Sequence, residues 1–193
     1  CNNICRDFFT IFIENEYMPT NEVMIQIAYH LLSSLEKIHA KGGILRDVKL
    51  ENIVSLDAYP FINARNVKFI DFGSCYIENI SDPKRFKGTD DYYAPEFIFY
   101  QKVMPSMDIW SLGVTFYCMI QKEFPTENPV YATREEFAAA FHQNKLPNFS
   151  HPVWTNFSPE LINLIKLMLT YDCERRPSAH DLLKLEIFQQ CTK

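Results

Sequence analysis

Between Asn21 and Ala40, apolar residues recur at Met24, Ile27, Ala28, Leu31, Leu35 and Ile38. Steps of three and four residues put them on one stripe of a helix. Thr20 is placed to cap its start, and Gly42-Gly43 to stop it. Two short β-like runs follow, Ile53 to Leu56 and Val67 to Ile70, separated by a polar, proline-containing insert around Asp57 to Asn66. Residues 71–96 show no period and hold Gly, Pro, Asp and Lys, which predicts a long loop, and loops of that length in compact domains are functional or disordered. Farther on, Ile109 to Ile120 is apolar nearly all round, the mark of a helix buried in the centre. Thr133-Arg134-Glu135-Glu136 reads as a capping box before a helix from Phe137 to His142. Ser158-Pro159 opens another, with a stripe of Leu161, Leu164, Ile165 and Met168. Ser178 to Asp181 caps a last one, from Leu182 to Phe188. No internal repeat or low-complexity segment interrupts the pattern. The expected fold class is mainly α with one short β-hairpin, next to the loop that gathers most of the acids.

Composition narrows the setting. The chain has 193 residues, 47% hydrophobic and 15% aromatic, enough for one compact domain with a core. Its formal net charge of -5 argues against a nucleic-acid partner, which calls for basic surface. Cysteines stand at 1, 5, 75, 118, 173 and 191 with no CxxC pair. They read as reduced thiols of an intracellular protein, cytoplasmic with the nucleus left open. The stretch from Ile109 to Ile120 is too short to span a bilayer and contains Ser111 and Thr115, so no membrane partner is expected. No signal peptide opens the chain, and it begins with Cys1 rather than Met. It therefore reads as part of a longer translation product.

Three residues stand out for chemistry. Asp47 and Asn52 flank the segment Asp47-Val48-Lys49-Leu50-Glu51-Asn52, and Asp71 opens Asp71-Phe72-Gly73 after the second predicted strand. A hairpin between them folds Asp71 back over Asn52. Two oxygen ligands would then face a hard cation such as Mg²⁺, which favours carboxylate and amide oxygens together with phosphate. Asp47 would face a hydroxyl acceptor, and Lys49 a transferring phosphate.

With these residues the sequence closely resembles the eukaryotic protein kinase family, in its serine/threonine branch. The family's catalytic loop, H-R-D-x-K-x-x-N, is matched by Leu45-Arg46-Asp47-Val48-Lys49-Leu50-Glu51-Asn52. Its D-F-G is Asp71-Phe72-Gly73. Its A-P-E is Ala94-Pro95-Glu96, preceded by Gly88-Thr89. Its D-x-W-S-x-G runs from Asp108 to Gly113, and its late arginine is Arg176 in Arg176-Pro177-Ser178. The motifs stand in family order, and the match runs nearly end to end. The resemblance implies ATP-dependent phosphoryl transfer to Ser or Thr of a protein substrate, with ATP and Mg²⁺ as cofactors. It gives Asp47 the role of catalytic base, Lys49 that of steadying the γ-phosphate, and Asn52 and Asp71 those of metal ligands. By the same resemblance Val54 lies on the adenine floor and Asp7 matches the acid that holds the ribose. Arg46, Phe72, Gly73 and Thr89 belong to the activation machinery, with Thr89 bonding near Asp47 and Lys49. Asp108 is expected to bind the catalytic-loop backbone, and Glu96 and Arg176 to form a buried ion pair. Trp110 is expected in the core, Cys75 as an inert thiol, and His39 as a packed histidine and not a ligand. Within 1–193 the catalytic loop spans 45–54 and the activation segment 71–96.

The chain also departs from that family. Leu45 replaces the usual His, which packs under the D-F-G Phe, and Leu50 replaces a common Pro. The insert between Asn52 and Asp71 is longer than usual and is expected to point away from the site. No Gly-rich loop, no V-A-I-K-like lysine and no partner Glu on a preceding helix is present. Asp7 to Asn15 resembles the first helix of the large lobe, so the expectation is a C-terminal lobe whose small N-terminal lobe is absent. A missing lobe or an activating partner would complete it. The segment Pro83-Lys84-Arg85-Phe86-Lys87 holds no hydroxyl, so control is not expected from a phosphate there; either Asp82 or another carboxylate pairs with Arg46, or Ser81 is the phosphosite. The alternative is a pseudokinase-like module that binds partners without transferring phosphate.

Overall fold

The computed structural model describes residues 5–57, 62–77, 90–126, 133–142, 147–189 and 191. Helix α1 spans Asn21–His39, and Thr20 Oγ1 accepts a hydrogen bond from Val23 N at 3.3 Å. The expected stripe is buried from Met24 to Leu35, with Leu32 added to it, and Ile38 is half-buried. Gly42, at φ +74°, turns the chain after the helix, in a conformation that L side chains rarely adopt. Gly43 then enters strand β2, Gly43–Ile44.

Helix α3, Ser106–Gln121, is buried from Met107 through Ile120. A helix with no solvent face has to be enclosed by other elements. Helix α5, Pro159–Met168, packs against it with Leu161, Leu164, Ile165 and Met168. At Gly113 the approach is so close that a Cβ would lie 2.9 Å from Met168 Cβ. Ser158 Oγ caps α5 by accepting from Leu161 N at 3.2 Å. Helix α4, Arg134–His142, follows a reciprocal capping box in which Thr133 N donates to Glu136 Oε2 and Glu136 N donates to Thr133 Oγ1.

Four features differ from the sequence-based expectation. Residues Asp7 to Asn15 do not form an α-helix. Arg6–Asp7 is strand β1, and Phe9–Glu14 is a π-helical turn whose Asn15 N donates to Thr10 O at 3.0 Å. Asp7 caps the front of this turn and Asn15 Nδ2 closes the back on Thr10 O at 2.6 Å, while Phe8, Ile11 and Phe12 are buried beneath it. The hairpin becomes a three-stranded sheet. β3, Ile53–Ser55, pairs antiparallel with β4, Val67–Phe69, and β1 joins the free edge of β3. The long loop also contains regular structure: β5, Tyr76–Ile77, pairs with β2, Gly43–Ile44, and Pro95–Tyr100 forms helix α2. Finally, the last cap starts α6 earlier than expected, at Ala179–Leu182, with Ser178 Oγ accepting from Asp181 N, and Glu186–Phe188 is a separate 3-10 turn.

The insert is anchored at its ends. Asp57 accepts from Asn63 N and from Asn66 Nδ2, both at 2.7 Å. The 3-10 turn Ala64–Asn66 packs on α1. Among the described residues no helix is long and apolar enough to cross a membrane, and Cys5, Cys75, Cys118, Cys173 and Cys191 are free thiols.

Candidate active site

The site is built on a buried carboxylate. Asp108, in the first turn of α3, is 0% exposed. It accepts hydrogen bonds from Leu45 N at 2.8 Å and Arg46 N at 2.9 Å, and its Oδ2 meets His39 Nε2 at 2.9 Å. A charge that deep is tolerated only when its oxygens are satisfied by donors. Arg46 has φ +65°, a conformation costing a non-glycine residue about 1–2 kcal/mol. The paired amide bonds to Asp108 offset that strain and fix the backbone just before Asp47.

Asp47 is then held from two sides. Lys49 Nζ lies 3.1 Å from Asp47 Oδ2. Asn52 Nδ2 donates to both Asp47 O and Asp47 Oδ2, each at 2.9 Å. With its amide nitrogen so engaged, Asn52 keeps its amide oxygen for another ligand. Ile70 N donates to Asn52 O at 2.9 Å, extending the β3–β4 ladder by one step toward the site. Asp71 follows at φ +57°, exposed, with Oδ1 accepting from Gly73 N at 3.0 Å. The hairpin therefore brings Asp71 alongside the strand end that carries Asn52. An amide oxygen and a carboxylate form the hard donor set that Mg²⁺ prefers, so these residues fit that ion. No group of three or more His, Cys, Asp or Glu suited to a metal occurs among the described residues. The rest of a Mg²⁺ shell would be water and phosphate, which is usual for this ion.

Val54 is buried and lies opposite Asp7 in the β1–β3 pairing. Asp7 Oδ1 accepts from Thr10 N at 2.8 Å and Oδ2 from Thr10 Oγ1 at 3.2 Å, so a ribose hydroxyl there would share a carboxylate already capping the turn. Leu45 is 6% exposed whereas Phe72 is 55% exposed, so the Leu is a core residue and the Phe presents its ring outward. Arg46 Nε donates to Ser74 O at 2.6 Å, with its guanidinium 5.5 Å from the Tyr76 ring centroid. Glu96 and Arg176 form a buried, two-pronged pair: Nη1 to Oε1 at 2.6 Å and Nη2 to Oε2 at 3.0 Å. Cys75 is half-buried, and burial followed by the nearby Asp108 charge pushes its thiol up, away from the reactive thiolate. Gly88, Thr89 and Ser81 lie outside the described residues.

The sequence reading missed the part of His39, expected as packing alone, and the two hydrogen bonds that Asn52 donates to Asp47. His39 and Asp108 are 69 residues apart, and no local pattern signals that they meet. The Asn52 contact is local but depends on the 3-10 turn Leu50–Asn52, which has no hydrophobic period to reveal it.

The protein kinase domain model matches residues 2–188. The chain is 36% identical over 166 residues to the serine/threonine-protein kinase ste20 of Aspergillus fumigatus, covering 83% of this chain and 19% of that protein. It is 31% identical over 177 residues to a calcium and calcium/calmodulin-dependent serine/threonine-protein kinase of Pisum sativum, covering 91% and 32%. A probable serine/threonine-protein kinase of Encephalitozoon cuniculi is 38% identical over 118 residues, covering 61% and 21%. The chain thus spans between about a fifth and a third of the length of these relatives. With a domain match over nearly its whole length and a mainly α fold around the Asp47–Asn52 loop, the chain belongs to the eukaryotic serine/threonine protein kinase family.

Proposed function

We propose that residues 1–193 are the large lobe of a serine/threonine protein kinase and carry the acceptor side of its phosphoryl transfer. The observation that supports this best is the Asp47–Lys49–Asn52 cluster, held on the backbone that Asp108 anchors. Phosphoryl transfer asks the protein mainly for placement and charge stabilisation. Asp47 orients the Ser or Thr hydroxyl of a protein substrate and takes its proton. Lys49 keeps positive charge beside that carboxylate, where charge shifts toward the transferred group. Asn52 fixes the Asp47 rotamer with its amide nitrogen and, with Asp71, offers oxygen to Mg²⁺. Bound Mg²⁺ neutralises the phosphate charge of ATP. Val54 and Asp7 form the floor and edge of the nucleotide site on β3 and β1, and the cover over that nucleotide comes from residues outside 1–193. The catalytic loop is 45–54 and the activation segment 71–96.

Asp47→Asn in the full chain tests the assignment. Loss of a placed base costs on the order of 10²–10⁴ in rate, with the melting temperature unchanged. Near-wild-type turnover sinks the assignment. A peptide array yielding mainly phosphotyrosine sinks the choice of acceptor, and a wild-type full chain that binds partners yet transfers no phosphate supports the binding-module reading instead.

A further inference from the structure

Where α4, α5 and the turn after α5 meet, aromatic rings and two cations surround a cleft of about 720 Å³. Its deepest lining residue is Leu169, 2% exposed, which also packs close to Gly113 of α3. Phe141, Phe149 and Tyr171 line it as half-buried rings. These rings are tied to the core. Between centroids, Phe141 lies 5.4 Å from Trp110 and 5.5 Å from Tyr171, and Phe149 lies 4.6 Å from Trp154. The cleft is therefore shaped before anything enters it, which lowers the cost of binding. Lys166 and Arg175 bring positive charge to the same lining. Both are exposed, and among the described residues neither side chain has an ion-pair or hydrogen-bond partner. Lys166 Nζ rests 5.1 Å from the Phe149 ring centroid. The turn sends Arg176 inward to Glu96 and leaves its neighbour Arg175 exposed. Glu174, beside it in the chain, is taken by Lys102 at 2.5 Å. The acid in the described lining, Asp172, accepts from Glu174 N through Oδ1 at 3.0 Å and so helps to close the turn. In a chain of net charge -5, the described lining thus carries two cations to one carboxylate.

We infer that this cleft docks a segment of a partner protein in which an aromatic residue stands beside carboxylates. The walls select the ring, because Phe141, Phe149 and Tyr171 offer edges and faces that another ring packs against. The two cations select the carboxylates. Lys166 can exchange its contact with the Phe149 ring for a charge-assisted hydrogen bond, and Arg175 presents a planar fork that matches a carboxylate. They stand on different elements, α5 and the turn that follows it, so each can take a carboxylate of its own. The acidic surface elsewhere does not exclude such a segment, because charges beyond about 8–10 Å are largely screened at physiological salt. None of Asp47, Lys49, Asn52 and Asp71 lines the cleft. Docking here is therefore separate from the chemistry at Asp47 and does not depend on that assignment.

The test uses the full chain and fluorescence anisotropy with a labelled peptide library in which one Phe, Tyr or Trp is flanked by Asp and Glu. Matched libraries carry Asn and Gln in place of the acids, Ala in place of the ring, or phosphoserine in place of the acids. The expected result is saturable binding of the acidic aromatic peptides that weakens with salt and is lost when either the acids or the ring are replaced by neutral residues or Ala. Lys166→Gln and Arg175→Gln each weaken it at least about tenfold, as loss of a charge-assisted hydrogen bond implies. Lys166→Glu combined with Arg175→Glu turns the preference toward peptides with Lys and Arg beside the ring, while the melting temperature and phosphotransfer to an unrelated peptide stay at wild type. Absence of binding, equal binding of the acidic and amide libraries, or binding that survives the double reversal overturns the inference. Binding confined to the phosphoserine library overturns the carboxylate as the recognised group. Self-association of the full chain in sedimentation velocity that the double reversal abolishes overturns the partner segment in favour of a second copy of this chain.

Discussion

Removing Arg176 should be among the most damaging single changes in this chain. Its side chain is 0% exposed and that of Glu96 3%. Besides the two contacts to Glu96, Arg176 donates from Nε to Thr170 O at 2.9 Å and from Nη1 to Ser106 O at 2.8 Å. Its guanidinium carbon lies 5.0 Å from the Trp110 ring centroid. It thereby ties α2, the start of α3 and the turn after α5 together. Arg176→Ala leaves the Glu96 carboxylate buried with the Ser106 hydroxyl, at 3.2 Å, as its remaining side-chain donor among the described residues. Breaking a buried pair in this way costs about 3–5 kcal/mol, and the abandoned carbonyls of Thr170, Ser106 and Tyr171 push the loss to the upper part of that range. With a urea m value of about 2–3 kcal/mol/M, a loss of about 4 kcal/mol lowers the unfolding midpoint by about 1.3–2 M. Arg176→Lys keeps the charge without the fork and should fall between. Combining Arg176→Met with Glu96→Leu removes the stranded charge, so the double variant should be more stable than the sum of its single losses by at least about 1 kcal/mol. Urea unfolding followed by circular dichroism measures the wild type, Arg176→Ala, Arg176→Lys, the single Arg176→Met and Glu96→Leu variants and their combination. A loss below about 1 kcal/mol for Arg176→Ala, or strict additivity in the double variant, would refute the reasoning.

Further expectations concern α3 and the Asp47–Asn52 loop. Gly113→Ala should destabilise by about 1–2 kcal/mol on thermal unfolding, because overpacking against Met168 Cβ, 2.9 Å away, outweighs the helix-propensity gain of about 1 kcal/mol; a raised melting temperature contradicts this. Burial raises the Cys118 thiol far above its ordinary value near 9. The unfolded thiol therefore ionises first, so its contribution is intact below pH 8 and stability is lost as pH climbs above 9, by at most about 1.4 kcal/mol per pH unit. Cys118→Ala should lack that added slope, and parallel stability curves for the two proteins from pH 7 to 10.5 would reject it. Asn52→Ala removes both the hold on Asp47 and an oxygen donor, so it should lower turnover and raise the Mg²⁺ concentration needed for nucleotide binding; an unchanged Mg²⁺ dependence in calorimetry speaks against the metal role.

The long elements could be read directly from the chain because one signal dominates each of them. The α1 stripe, the all-apolar α3 and the Ser158-Pro159 start of α5 encode their structures in residues a few positions apart, and local backbone geometry converts that spacing into a buried face. The identity and order of the chemical groups, from Asp47 through Asn52 to Asp71, were likewise present in the sequence, since each motif is contiguous. What the residues could not declare is anything that depends on partners far along the chain. Two-residue strands such as Arg6–Asp7 and Tyr76–Ile77 have no period; they are strands because β3 and β2 offer them an unpaired edge. Asp7 to Asn15 scans as a helix, yet the depth at which Phe8, Ile11 and Phe12 are buried accompanies a wider turn. Arg46 carries no mark of its positive φ, which persists because Asp108, 62 residues later, receives its amide. The cleft lined by His30 and Arg65 is the extreme case, since these two become neighbours only when the insert folds back on α1. Residue chemistry and helical period are local properties, whereas strand edges, backbone strain and charge clusters are sums over distant contacts that the folded chain alone assembles.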